Sequence, residues 1–150
     1  MHSLLELFQN EVLLAAVTGW FVAQAMKIPT YWLVEKKWNW GRFFGSGGMP
    51  SSHTAFVVSQ AIMIGVNVGF GTAEFSIAAT LAAIVMYDAT GVRRETGIQA
   101  QVINEILRQV FIDGKPIADD DLKELVGHKP LEVLGGAILG ILTAVAYIIF

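Results

Sequence analysis

Two stretches of this chain carry no charge over the length of a bilayer. Thr54 to Ala73 is twenty residues without Asp, Glu, Lys or Arg, and Val133 to Phe150 is eighteen. A helix crossing a hydrocarbon core needs about 20 predominantly apolar residues. A soluble all-helical protein of 150 residues would have to bury both runs on every side. The charged fraction argues the same way. It is 15%, with 54% hydrophobic residues and a mean hydropathy of +0.55, against roughly 25% charged in ordinary soluble domains. The chain therefore reads as a single all-α membrane domain over residues 1–150.

The pattern predicts a polytopic bundle of about four transmembrane helices. The first runs from about Leu7 or Val12 to Met26, the second from Thr54 to Ala73. The third starts near Phe75 and reaches Val92, with Asp88 inside it. The fourth starts near Pro130 and ends at Phe150, with Glu132 in its first turn. Spans two and three are joined by a tight "GFGTAE" turn. The first connection carries Tyr31, Trp32, Trp38 and Trp40 beside Lys36, Lys37 and Arg42, as an interfacial aromatic belt does. In the third connection, Ile98, Val102, Ile103, Ile106, Leu107, Val110 and Phe111 recur at helical spacing opposite Gln, Asn, Glu and Arg. This is an amphipathic interfacial helix, serving as a cover or as the dimerisation surface of a homo-oligomer. "ADDDLKEL" beyond it reads as a short capped helix.

All ten Lys and Arg residues fall in the first and third connections. With four spans, those connections share one side of the membrane. The positive-inside rule makes that side cytoplasmic. The absence of cysteine excludes disulfides and thiolate metal sites. A net charge of -3 without a basic field excludes nucleic acid as a partner.

The same topology gathers the unusual polar residues at one face. Ionisable groups at membrane depth are costly and point to function. In "GSGGMPSSHTAF", residues 45–56, glycines permit a tight turn, Pro50 suits a first helical turn and Ser51 or Ser52 can cap it. The exposed N–H groups and the dipole of the helix end favour an anion, and His53 sits just inside. The competing reading is a capped helix with an interfacial histidine. In "YDATGVRRETG", Arg93 and Arg94 either snorkel as anchors or clamp phosphate oxygens. Asp88, five residues before Arg93, either orients an arginine or serves as a structural partner. In "GHKPLEV", His128 and Glu132 are four apart and share a helix face. A carboxylate on one imidazole nitrogen makes the other a better nucleophile. An acidic first turn beside Pro130 is also what a plain helix entry would show.

"GGMPSSH", "YDATGVRR" and "GHKPLEV" together resemble the divergent, short branch of the type 2 phosphatidic acid phosphatases, relatives of the vanadium haloperoxidases. The resemblance covers nearly the whole chain. It implies a metal-independent lipid phosphate phosphatase without cofactor, in a cell membrane such as the bacterial inner membrane. Its partners would be a lipid or isoprenoid phosphate and the surrounding membrane lipids. "PSSH" is similar to the Pro-Ser-Gly-His motif of the parent superfamily, with Ser52 in the glycine position. By that resemblance His53 protonates the leaving group, while Ser51, Ser52, Arg93 and Arg94 bind phosphate. His128 becomes phosphorylated and Glu132 orients it.

The departures are specific. Leu122 stands six before His128, where the parent motif has arginine, so Arg93 or Arg94 would serve across the insertion. The parent's first motif, a lysine followed seven later by Arg-Pro, is unmatched. Phe43 stands seven after Lys36 and Val34 seven after Lys27. Lys36 and Arg42 are the substitutes in that region. The leading expectation is hydrolysis of a lipid or isoprenoid phosphate or diphosphate through a phosphohistidine. The alternative is a non-catalytic membrane protein that uses the same pocket for phospholipid headgroup binding or transport. A metal site of His53, Asp88 and His128 ranks last, because histidine, arginine and backbone amides suit an anion better.

Overall fold

The computed structural model describes residues 6–45, 47–110 and 129–150, with side chains at all of these but 92–94 and 106–110. Within them the chain forms helices and no strand. The elements are α1 (Glu11–Glu35), a 3-10 turn (Trp40–Phe44), α2 (Ser52–Asn67), α3 (Ala73–Thr90), α4 (Val92–Val110) and α5 (Pro130–Ile149). Three helical stretches are long and apolar enough to cross a membrane: Glu11–Glu35, Ala73–Glu105 and Pro130–Ile149.

The helix α2 is shorter than the second span expected from the sequence. Its 16 residues reach about 24 Å at 1.5 Å per residue, against a hydrocarbon core of about 30 Å. The uncharged run continues to Ala73, but the helix stops at Asn67. Gly69 adopts φ +121°, a conformation open to glycine, and the Phe70 ring folds back into the space beside Gly65 that a side chain there would fill. Hydropathy does not register that turn. A short α2 is compatible with a membrane because it is the central helix. It packs against α1, α3 and α5, and eight of its residues are buried.

Small residues set how closely the helices approach. Gly136 of α5 lies against the Ser51 carbonyl and Thr54. One turn on, a Cβ at Gly140 would stand 2.8 Å from the Ala55 oxygen and 3.0 Å from Val58 Cβ. This is the Gly-x-x-x-Gly spacing of close membrane helix pairs. On the other side of α2, Gly19 of α1 faces Ser59 and Ala55, and the Ser59 hydroxyl donates to the Ala15 carbonyl at 3.4 Å. Ala15, Met63 and Ala144 close the far end of this three-helix core. Near it Thr18 and the Tyr147 hydroxyl share a hydrogen bond of 3.0 Å. These contacts make α1 antiparallel to α2 and α5 parallel to it.

Two boundaries differ from the sequence expectation in instructive ways. The first helix does not end at Met26 but continues through Lys27 and Pro29 to Glu35. Thr30 holds this extension by donating to the Met49 carbonyl at 2.6 Å. Trp32 therefore lies on a helix rather than in a loop. The third helix ends at Thr90, and Gly91 separates it from α4, the amphipathic helix the sequence predicted. Ile98, Val102 and Ile103 of α4 are exposed, while Ala100 and Asn104 are buried. Phe111 and "ADDDLKEL" lie outside the described residues.

Candidate anion-binding site

The later turns of α1 and the start of α5 meet the segment before α2. Ser51 is its N-cap. The Ser51 hydroxyl accepts from the Thr54 amide at 3.4 Å and from the Thr54 hydroxyl at 3.0 Å. The Ser51 amide donates to the Glu132 carbonyl at 2.9 Å, which pins the start of α5 to the start of α2. Both serines are almost wholly buried. Their hydroxyl oxygens accept within the protein, Ser51 from Thr54 and Ser52 from Lys27, and the helix end also offers an anion its dipole and its first-turn amides.

The cation at this helix end is one that the sequence reading passed over. Lys27 is 1% exposed. Its ammonium donates to the Gly45 carbonyl at 2.9 Å and to the Ser52 hydroxyl at 3.4 Å. Gly48, at φ +98°, packs along the lysine's methylenes. The glycine loop thus wraps a buried charge, and Glu132 lies near enough for its carboxylate to act on that charge electrostatically. A lysine one residue past an uncharged run ordinarily marks the membrane surface. The available signal was the glycine loop 18 residues on, whose carbonyls could satisfy an ammonium.

The other expected residues are placed as follows. His53 is half-buried in the first turn of α2. It lines a groove of about 480 Å³ with Val17 and Trp20 of α1, Phe56 and Val57 of α2 and Val85 of α3. Asp88 is half-buried one turn beyond Val85, toward the end of α3 that leads to Arg93 and Arg94. Those two arginines open α4, and their side chains are outside the described residues, as is His128. Glu132 Oε2 accepts from the Lys129 amide at 3.2 Å, a helix-entry role that leaves its other oxygen for a further donor. Lys36 and Arg42 sit apart. The Lys36 ammonium lies over Trp32 at 5.8 Å and the Arg42 guanidinium over Tyr31 at 4.1 Å. Among the described residues, neither shares a hydrogen bond or ion pair with Ser51, Ser52 or His53.

One more polar group belongs here. Gln24 is 6% exposed, and its Oε1 is buried without a hydrogen-bond partner among the described residues. Leaving such a group unpaired costs about 1–3 kcal/mol.

A family model described as the divergent PAP2 family matches residues 8–143. The chain belongs to the divergent PAP2 family. It is also similar to the uncharacterized membrane protein YuiD of Bacillus subtilis (strain 168), 38% identical over 148 residues, covering 92% of this chain and 94% of the relative. No solved structure matches it. This divergent PAP2 protein is an integral membrane protein. Its α2 starts at "PSSH", with the buried Lys27 behind that start.

Proposed function

We propose that this divergent PAP2 protein is a membrane phosphatase acting on a lipid or isoprenoid phosphate. The observation that carries the reading is the Lys27 ammonium, buried at the N-terminus of α2 beside Ser52, whose neighbour in sequence is His53. A buried cation and a helix N-terminus both favour an oxyanion, and an imidazole adjoins them.

In this reading phosphate occupies the end of α2, held by Lys27, the first-turn amides, Arg93 and Arg94. The free nitrogen of His128, oriented by Glu132, attacks phosphorus. The ester P–O bond breaks, and its electron pair leaves with the alcohol oxygen, which takes a proton from His53. Water then attacks the phosphohistidine. The P–N bond breaks, His53 accepts the water's proton, and phosphate departs. The test is phosphate release from a panel of lipid phosphates by purified protein, with the His128→Ala variant beside it. Hydrolysis that survives His128→Ala unchanged would refute this mechanism.

A second reading, headgroup binding without turnover, is favoured by Leu122 in the position of the parent arginine. The engagement of Lys36 and Arg42 with aromatic rings also favours it. Anion binding with no phosphate release would select it.

A further inference from the structure

Val17, Trp20, Gln24 and Lys27 follow one another at spacings of three, four and three residues, so they form one stripe along α1. The stripe begins in the apolar groove, where Val17 and Trp20 are wall residues. It ends at the buried ammonium of Lys27. Gln24 occupies the step between them, one turn beyond Trp20 and one turn before Lys27. His53 marks the same junction from α2, since it lines the groove and directly follows the serine that accepts from Lys27.

At that step of the stripe, Gln24 has a buried Oε1 without a hydrogen-bond partner among the described residues. A carbonyl oxygen accepts hydrogen bonds and donates none. Other polar side chains of α1 with described bonds are engaged within the protein, Thr18 with Tyr147, Lys27 with Gly45 and Ser52, and Thr30 with Met49. A fully ionised phosphate offers only acceptors, so it would leave Oε1 unpaired. A ligand with an O–H at this point would satisfy it. A site built to hydrogen-bond a substrate hydroxyl discriminates against analogues that lack it, because its own buried group is then left unpaired.

We propose that Gln24 is a specificity-determining residue whose Oε1 accepts a hydrogen bond from an O–H that the ligand carries where its hydrocarbon chain meets its phosphate. The proposal rests on the anion-site reading above. Two sources supply that O–H: a protonated phosphate oxygen, or a hydroxyl on the chain carbon one beyond the carbon that bears the phosphorus group.

Non-hydrolysable single-chain probes separate them, with affinity measured on the detergent-solubilised full-length protein. Dodecylphosphonate, held below its second ionisation, carries P–O–H. Its monomethyl ester carries no O–H. The monomethyl ester of 2-hydroxydodecylphosphonate carries only the carbon hydroxyl. The wild type is expected to bind one or both O–H probes about tenfold more tightly than the O–H-free ester, the worth of one hydrogen bond to a buried group. Which probe gains identifies the source.

Gln24→Met keeps the length and apolar packing and removes the acceptor, so it should bind all three probes alike. Gln24→Glu keeps an acceptor, so it should retain the preference while weakening every probe through like charge. Three results would overturn the proposal. One is a preference that persists in Gln24→Met, and another is a uniform loss across all probes. The third is tighter wild-type binding of the O–H-free ester, which would mean that the amide presents its NH₂ instead. If Lys27→Met abolishes binding while Gln24→Met changes nothing, the anion site stands and the Gln24 assignment falls. If the wild type binds no probe at all, both fall together.

Discussion

The Lys27 ammonium and the Ser52 hydroxyl, 25 residues apart in sequence, meet at 3.4 Å inside the protein. That contact ties the middle of α1 to the N-terminus of α2 and puts a positive charge behind the helix end. It also predicts which cation matters. Lys27→Met removes the charge together with its burial penalty, so the protein should remain folded. Hydrogen bonds to charged groups are worth about 1.5–3 kcal/mol, so vanadate or phosphate affinity should fall roughly 10- to 100-fold. Arg42→Ala removes a contact with Tyr31 worth about 0.5–1 kcal/mol to local stability and should leave anion affinity nearly unchanged. Titration of both variants by calorimetry decides the matter. Equal losses would assign the anion's cation wrongly.

How much of this was legible beforehand follows from what hydropathy measures. Charge-free runs gave the helices, and the period of Ile98, Val102 and Ile103 gave α4. The ends were less legible. Lys27 and Pro29 look like stop signals, yet the charge is satisfied by a loop carbonyl and a hydroxyl and the helix continues to Glu35. Residues 68–72 look like span, yet Gly69 and Phe70 turn the chain there. The serines and His53 were readable from their place before an apolar run. Gln24 and Lys27 were not, because their meaning depends on a loop and a helix that reach them only in the folded chain.

The contact between α2 and α5 should be the least forgiving in the bundle. A methyl at Gly140 would meet the Ala55 oxygen at 2.8 Å and Val58 at 3.0 Å, and neither belongs to a flexible side-chain end. Overpacking of this kind costs about 1–3 kcal/mol. Gly140→Ala should lower the melting temperature in detergent, and Gly140→Leu should prevent recovery of folded protein. At Gly71 an added Cβ meets nothing within 4 Å, so Gly71→Ala should melt with the wild type. A tolerated Gly140→Leu would mean that the helices do not approach as described.

The orientation implied by the ten basic residues is open to direct measurement. The chain contains no cysteine, so one introduced thiol reports unambiguously. Lys37 is exposed just beyond α1, at the end of the bundle where the anion site lies. If that end faces the cytoplasm, Lys37→Cys should resist a membrane-impermeant maleimide in intact cells and react after permeabilisation. Labelling in intact cells would place the site outside and make the basic residues substrate ligands rather than topology signals.

The two histidines should separate binding from chemistry. His53 adjoins the helix end and the groove, where it can protonate a departing alcohol without being the group that holds the phosphate. Loss of one general acid costs about 10²–10⁴-fold in rate. His53→Ala should therefore slow turnover by that order while vanadate affinity changes little. His128→Ala should abolish the acid-labile phosphoenzyme trapped by rapid quench. Glu132→Gln should reduce it, through the imidazole's orientation, and should also loosen the entry of α5, where the carboxylate now accepts from Lys129. Melting curves separate those two effects. A Glu132→Gln variant that loses phosphoenzyme only in proportion to its loss of fold would leave the carboxylate a helix cap and remove it from the mechanism.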